Sequence, residues 1–182
     1  MGNLTYSQVT KNLFTAVLVS AGCSIVAGLC GLFWLVPAFA IIALIFNLGT
    51  IGANIWFFIS LGNWKTVVDS NDVPAVQKLW IGTLLSIIAG VVGLIPIIGT
   101  YLGALVAIAG FVFYVMGAGE LKISTTLPAN GVEGAKKLHT ACILSLIAAV
   151  LLIIPFINIL GGIISIVACV LQILAWKKIA TA

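Results

Sequence analysis

Arginine does not occur anywhere in the 182 residues, and charge of either sign is scarce: charged residues make up 7% of the chain. All eight basic side chains are lysines, Lys11, Lys65, Lys78, Lys122, Lys136, Lys137, Lys177 and Lys178, and the acids are Asp69, Asp72, Glu120 and Glu133. Planar, bidentate recognition of phosphates and bases leans on the guanidinium fork, so a partner role for nucleic acid is set aside despite the net charge of +4. There is one histidine, His139, and no carboxylate falls inside an apolar stretch. Buried carboxylates mark most proton relays and cation sites in membranes, so their absence argues against a proton-coupled pump. No paired carboxylates, Ser/His/Asp set, phosphate loop or metal constellation can be assembled, and the expectation is a protein without enzymatic activity and without a cofactor. Cys23, Cys30, Cys142 and Cys169 form no CxxC pair and read as small apolar side chains, with Cys142 and Cys169 at similar depth on neighbouring antiparallel helices.

What is abundant is hydrophobicity. At 63% apolar residues and a mean hydropathy of +1.32, the chain lies far from soluble domains, where about a quarter of residues are charged. It reads as an integral membrane protein. Three stretches, Lys11 to Lys65, Lys78 to Glu120 and Lys137 to Lys177, hold no charge between their ends. A helix of about 40 residues would be roughly 60 Å long, twice the hydrocarbon thickness, so each stretch must fold back on itself. Pro37, Pro96 and Pro155, 59 residues apart, mark the turns. The expected helices cover 11–35, 39–61, 77–95, 98–119, 134–154 and 156–178. The N-terminal segment lacks a positive n-region and the acylation pattern fails at Tyr6, so the first helix is expected to be retained; Asn3-Leu4-Thr5 matches a glycosylation acceptor but on the wrong side of the membrane.

With lysines at both ends of every hairpin and none at the tips, all positive charge falls on one side. The positive-inside rule makes that side cytoplasmic, both termini included, in a plasma or inner membrane. Trp64-Lys65, Trp176-Lys177 and Trp80 fit interfacial anchors. Ser7, Asp72 and Asn130, the last with Glu133 three residues on, are candidate helix caps, and Pro74 suits a helix start.

The chain is expected to form a single transmembrane domain, 1–182, of three parallel hairpin repeats, approximately 7–65, 72–122 and 130–178. At the 59-residue period Lys78-Leu79-Trp80 meets Lys137-Leu138-His139, Leu85-Ser86 meets Leu144-Ser145, and Leu94-Ile95-Pro96 meets Ile153-Ile154-Pro155. Ser20 echoes Ser86 and Ser145 but stands 17 residues before its proline where they stand 10 before theirs. Parallel repeats suit a pseudo-threefold bundle and do not match the inverted repeats of many ion-coupled transporters. The alternative is a row of hairpins completed by oligomerisation.

Two sets of side chains stand out. Asn47 and Asn54 on the second helix and Ser165 and Gln172 on the sixth repeat at matched distances from their prolines, with Thr50 on the first face and Cys169 on the second, whereas the second hairpin offers Val106 and Phe113 there. They read either as amides cross-linking helices or as a polar lining partly plugged by Phe113. Gly99, Gly103, Ala107 and Gly110 make a small-residue ridge along the fourth helix, with Gly90 and Gly93 facing it, read as packing. His139 takes an interfacial role.

Three functions remain. The first is a scaffold or subunit of a membrane assembly, whose partners are lipids and other membrane chains or further copies of itself. The second is a small channel or facilitator for a neutral or small solute, lined by helices two and six. The third is a membrane-shaping protein whose apolar tips, Trp34-Leu-Val-Pro37, Leu94 to Gly99 and Ile153 to Ile157, act as wedges; spanning is preferred because exposed tip backbone is costly in hydrocarbon. The loops Gly62 to Gln77 and Gly119 to Lys136 offer length for a soluble partner.

Overall fold

The computed structural model describes residues 5–31, 33, 36–95, 98–154 and 157–182. Pro96, Pro155, Trp34 and the acylation and glycosylation patterns before Thr5 lie outside these residues. Six helices run through the described chain: α1 (Tyr6–Gly31), α2 (Pro37–Trp64), α3 (Val73–Gly93), α4 (Ile98–Leu121), α5 (Ala129–Ile153) and α6 (Asn158–Ala180). All six are long and apolar enough to cross a membrane. The chain is thus an all-helical, multi-pass membrane protein.

α1, α3 and α5 start well before the apolar pattern implies, because charge marks where lipid ends and not where hydrogen bonding ends; α2 starts slightly earlier, at Pro37. α1 opens with a reciprocal capping box: Gln8 N–H donates to Thr5 Oγ1 at 3.3 Å and Thr5 N–H to Gln8 Oε1 at 3.0 Å. The cap is therefore Thr5, not Ser7. Asp72 does sit at the N-cap of α3 but makes no capping bond; Ser124 donates to its carboxylate at 2.9 Å, and Thr126 donates to the same oxygen. Asn130 lies inside the first turn of α5, behind Pro128, and Glu133 pairs with Lys178 and Lys137 instead of closing a capping box. Pro37 and Pro74 occupy first turns, where a missing N–H costs nothing. Lys177 and Lys178 end α6, where cations favour the helix dipole.

Each hairpin packs on itself, α1 on α2, α3 on α4 and α5 on α6. α2 also touches α3, α4 touches α5 and α1 touches α6, so the helices close into a ring and not an open row. The buried core lies at the lysine end: Val9 and Leu13 of α1, Leu61 and Trp64 of α2, Val76 and Leu79 of α3, Leu121 of α4, Leu138 of α5, and Trp176 and Ile179 of α6. Trp64 and Trp176 are 0% and 2% exposed and pack edge to face at 5.7 Å. They are core residues, correcting the interfacial reading, because in a ring closed at one end the last helical turns point inward as much as outward. Trp80 stays at the periphery, stacked on Phe58 at 4.4 Å with the Lys65 ammonium 5.3 Å above its ring.

Toward the tips the buried residues are small. α3 and α4 approach closely: a Cβ at Gly82 would lie 2.9 Å from the Gly110 carbonyl, and one at Gly110 would lie 3.0 Å from the Gly82 carbonyl. A Cβ at Gly103 would lie 2.8 Å from the Ala89 carbonyl and close to the Gly93 backbone, Gly99 sits against the Val92 carbonyl, and Ala107 is half-buried on the same helix. Gly90, in contrast, faces Ile51 of α2 and not α4. Helix extension leaves only 65–72 and 122–128 as connections, joined to each other through Asp72, which corrects the longer loops expected for a soluble partner.

Candidate functional site

Above the packed lysine end the ring opens into a cavity of about 350 Å³, to which all six helices contribute. Its floor is Ala16, Phe57, Leu138, Cys142 and Trp176, with Phe57 and Trp176 edge to face at 5.1 Å. About one helical turn above the floor come the polar groups, Ser20, Asn54, Ser145 and Gln172, followed by Ser24, Thr50 and Ser165 farther toward the tips. Ser86, Phe111 and Tyr114 complete the wall on the α3–α4 side. Among the described residues, no lysine, aspartate or glutamate lines it.

The polar groups pair within their own hairpins. Ser20 donates to Asn54 Oδ1 at 3.4 Å, and Gln172 Nε2 donates to Ser145 Oγ at 3.3 Å. Thr50 donates to the Phe46 carbonyl at 3.1 Å, so the 3.4 Å contact between Ser24 and Thr50 has Ser24 as donor. Ser86 donates to the Gly82 carbonyl at 3.0 Å. Thr83, fully buried, donates to the Leu79 carbonyl at 2.9 Å; the 2.7 Å bond to Tyr114 is then donated by the tyrosine hydroxyl, which pins its ring against the cavity.

Thr50, Asn54, Ser165 and Gln172 line one cavity, together with Cys169. Asn47 does not: it is exposed, two turns from Asn54 in the tip half of α2, where no described residue is buried. Phe113 is half-buried outside the lining, and Phe111 and Tyr114 occupy the place expected for it. The equivalence drawn from proline spacing fails there because α4 presents another face, that of Phe111 and Tyr114, to the cavity. Cys142 and Cys169 both line the cavity as free thiols. In the amino-acid order Ser20, Ser86 and Ser145 stand out only as repeat markers; the similar lysine-to-serine distance, nine residues from Lys11 and eight from Lys78 and Lys137, is the signal that places them near one level.

A second cavity, about 260 Å³, lies at the lysine end between Tyr6, Asp72 and Leu127. The Tyr6 hydroxyl and Trp64 indole N–H are buried without a partner among the described residues. His139 donates Nδ1–H to the Val115 carbonyl at 3.1 Å, tying α5 to α4 over Gly119. Among the described residues, no three His, Cys, Asp or Glu side chains come together as a metal site. Comparison with family models, curated proteins and solved structures gives no match.

Proposed function

We propose that this multi-pass membrane protein is a non-enzymatic facilitator that takes a small neutral solute into the central cavity and passes it across the bilayer. The observation that carries the reading is the uncharged polar lining gathered from all six helices around one axis. Polar side chains at membrane depth are costly unless paired or hydrated, and here their partners are weak, long hydrogen bonds that a solute can replace. The ring is read as a pseudo-threefold assembly of three parallel hairpins, with Ser20, Ser86 and Ser145 one per hairpin. The lysine end is assigned to the cytoplasm, both termini with it, in a plasma or inner membrane. Passage requires the Phe57–Trp176 floor to part.

That sealed floor is also what favours a second reading, a non-conducting scaffold or subunit whose apolar outer surface meets lipids, further copies or other membrane chains. The wedge reading loses support because each helix is long enough to span.

Flux of neutral solutes into reconstituted vesicles, measured by stopped-flow light scattering, decides between them. The facilitator reading expects flux that Asn54→Leu with Gln172→Leu abolishes while helicity and melting stay within the small cost of two membrane hydrogen bonds, averaging about 0.6 kcal/mol each. Unchanged flux in the double variant removes the cavity as the route. Absence of flux in the unaltered protein, with a membrane chain co-purifying, selects the subunit.

A further inference from the structure

We infer that the solute class of the central cavity is a small neutral polyol, an inference that rests on the facilitator reading of that cavity. Among the described residues the lining holds no charged group, and an ion entering it would lose hydration with nothing of opposite sign in return. Hydrogen-bond bookkeeping narrows the neutral candidates. Because the Ser86 hydroxyl hydrogen is committed to the Gly82 carbonyl, Ser86 offers the cavity only lone pairs and asks for a donor. Asn54 accepts from Ser20 through Oδ1, which leaves both Nδ2 hydrogens asking for an acceptor. Gln172 donates one Nε2 hydrogen to Ser145, so the Ser145 hydroxyl hydrogen, the second Nε2 hydrogen and the Gln172 Oε1 remain, two donors and an acceptor, on the third wall.

A bound molecule must therefore donate on the α3 side, accept on the α2 side and do both on the α5–α6 side. A hydroxyl does either according to its rotation, so a short chain of hydroxyls meets all three walls. The α3–α4 wall also presents the Phe111 and Tyr114 rings, 6.4 Å apart and tilted by 40°. These suit the C–H surface of a carbon chain more than the fully polar edge of an amide such as urea. A cavity of about 350 Å³ holds a polyol of a few carbons together with water.

The test uses vesicles containing the intact chain and compares radiolabelled erythritol, urea and acetate, with saturation-transfer NMR on the detergent-solubilised protein to read binding apart from passage. Expected are protein-dependent erythritol entry faster than urea, and acetate entry no faster than in protein-free vesicles, whose bilayer it crosses as the neutral acid. Ser86→Ala should lower erythritol flux by roughly five- to tenfold, the scale of one uncharged hydrogen bond; Phe111→Leu should lower it further, and Thr140→Ala, exposed on the outer face of α5, should not change it. Urea entry without erythritol entry overturns the polyol class and leaves the facilitator standing. Saturation transfer to erythritol without flux keeps the class and overturns the facilitator. Neither flux nor saturation transfer overturns both, and acetate entry that exceeds protein-free vesicles by as much as erythritol entry does overturns the class because the cavity would then admit charge.

Discussion

The two ends of the bundle solve the same packing problem differently. At the lysine end large side chains interlock across all six helices, with Leu61, Trp64, Leu79, Leu121 and Ile179 completely shielded. Polar contacts tie separate elements there: Lys78 to Glu120, Lys178 to Glu133, Lys65 to Gln77, and Ser124 and Thr126 to Asp72. Toward the tips the buried residues are Gly and Ala, and Ile45, Leu105, Ile159 and Ile166 face outward. One end is joined around the whole ring; the other is joined mainly within each hairpin. The lesson is that lipid removes the hydrophobic reason to gather large side chains inward, so packing in the tip half falls to small residues that allow backbones to touch. The cavity is the space left where the first regime gives way to the second.

The sharpest way to break this contrast is to truncate one large side chain at each end. Leu61→Ala, at 0% exposure, should cost about 2–5 kcal/mol. Ile45→Ala, at 59% exposure, should stay within about 0.5 kcal/mol. Reversible unfolding in mixed micelles measures both, and equal costs would mean that the ends are not packed differently. Next in size is the glycine comparison. A Cβ at Gly117 would meet the Ala75 carbonyl at 2.7 Å, whereas at Gly52 it meets nothing within 4 Å. Gly117→Leu is expected to cost about 1–3 kcal/mol. Gly52→Leu should be near neutral in the same assay, and a penalty there would reveal a neighbour packed against α2. The smallest effect belongs to the ion pairs. Lys78→Met should cost only about 0.2–1 kcal/mol, because the Lys78 and Glu120 side chains are 27% and 43% exposed, and the loss should shrink as salt is raised. A salt-independent loss above that range would instead assign Lys78 a packing role through its stem.

Much of the architecture is legible in the order of the amino acids. Charge-free stretches too long for one crossing imply hairpins, and Pro37 does open the second arm of the first one. The Gly103 and Gly110 ridge is legible because spacing by three and four residues is itself a statement about one helix face. The tryptophans are not. Trp64 and Trp176, each followed by lysine, carry the same local pattern whether they face lipid or the bundle axis. Asn47 and Asn54 share a helix face, yet only Asn54 reaches the cavity, because where the cavity ends is set by six helices together.

By itself, then, the sequence determined that this chain lives in a membrane, that it crosses in six helices, and that its lysines gather at one end, since all three follow from the cost of placing charge and unpaired backbone in hydrocarbon. Only the tertiary structure decided which faces turn inward, that α1 meets α6 to close the ring, and that serines from three hairpins surround one cavity with Asn54 and Gln172. In helices apolar on nearly every side, no periodicity distinguishes lipid from neighbour; that choice is made by the close fit of one helix against the next.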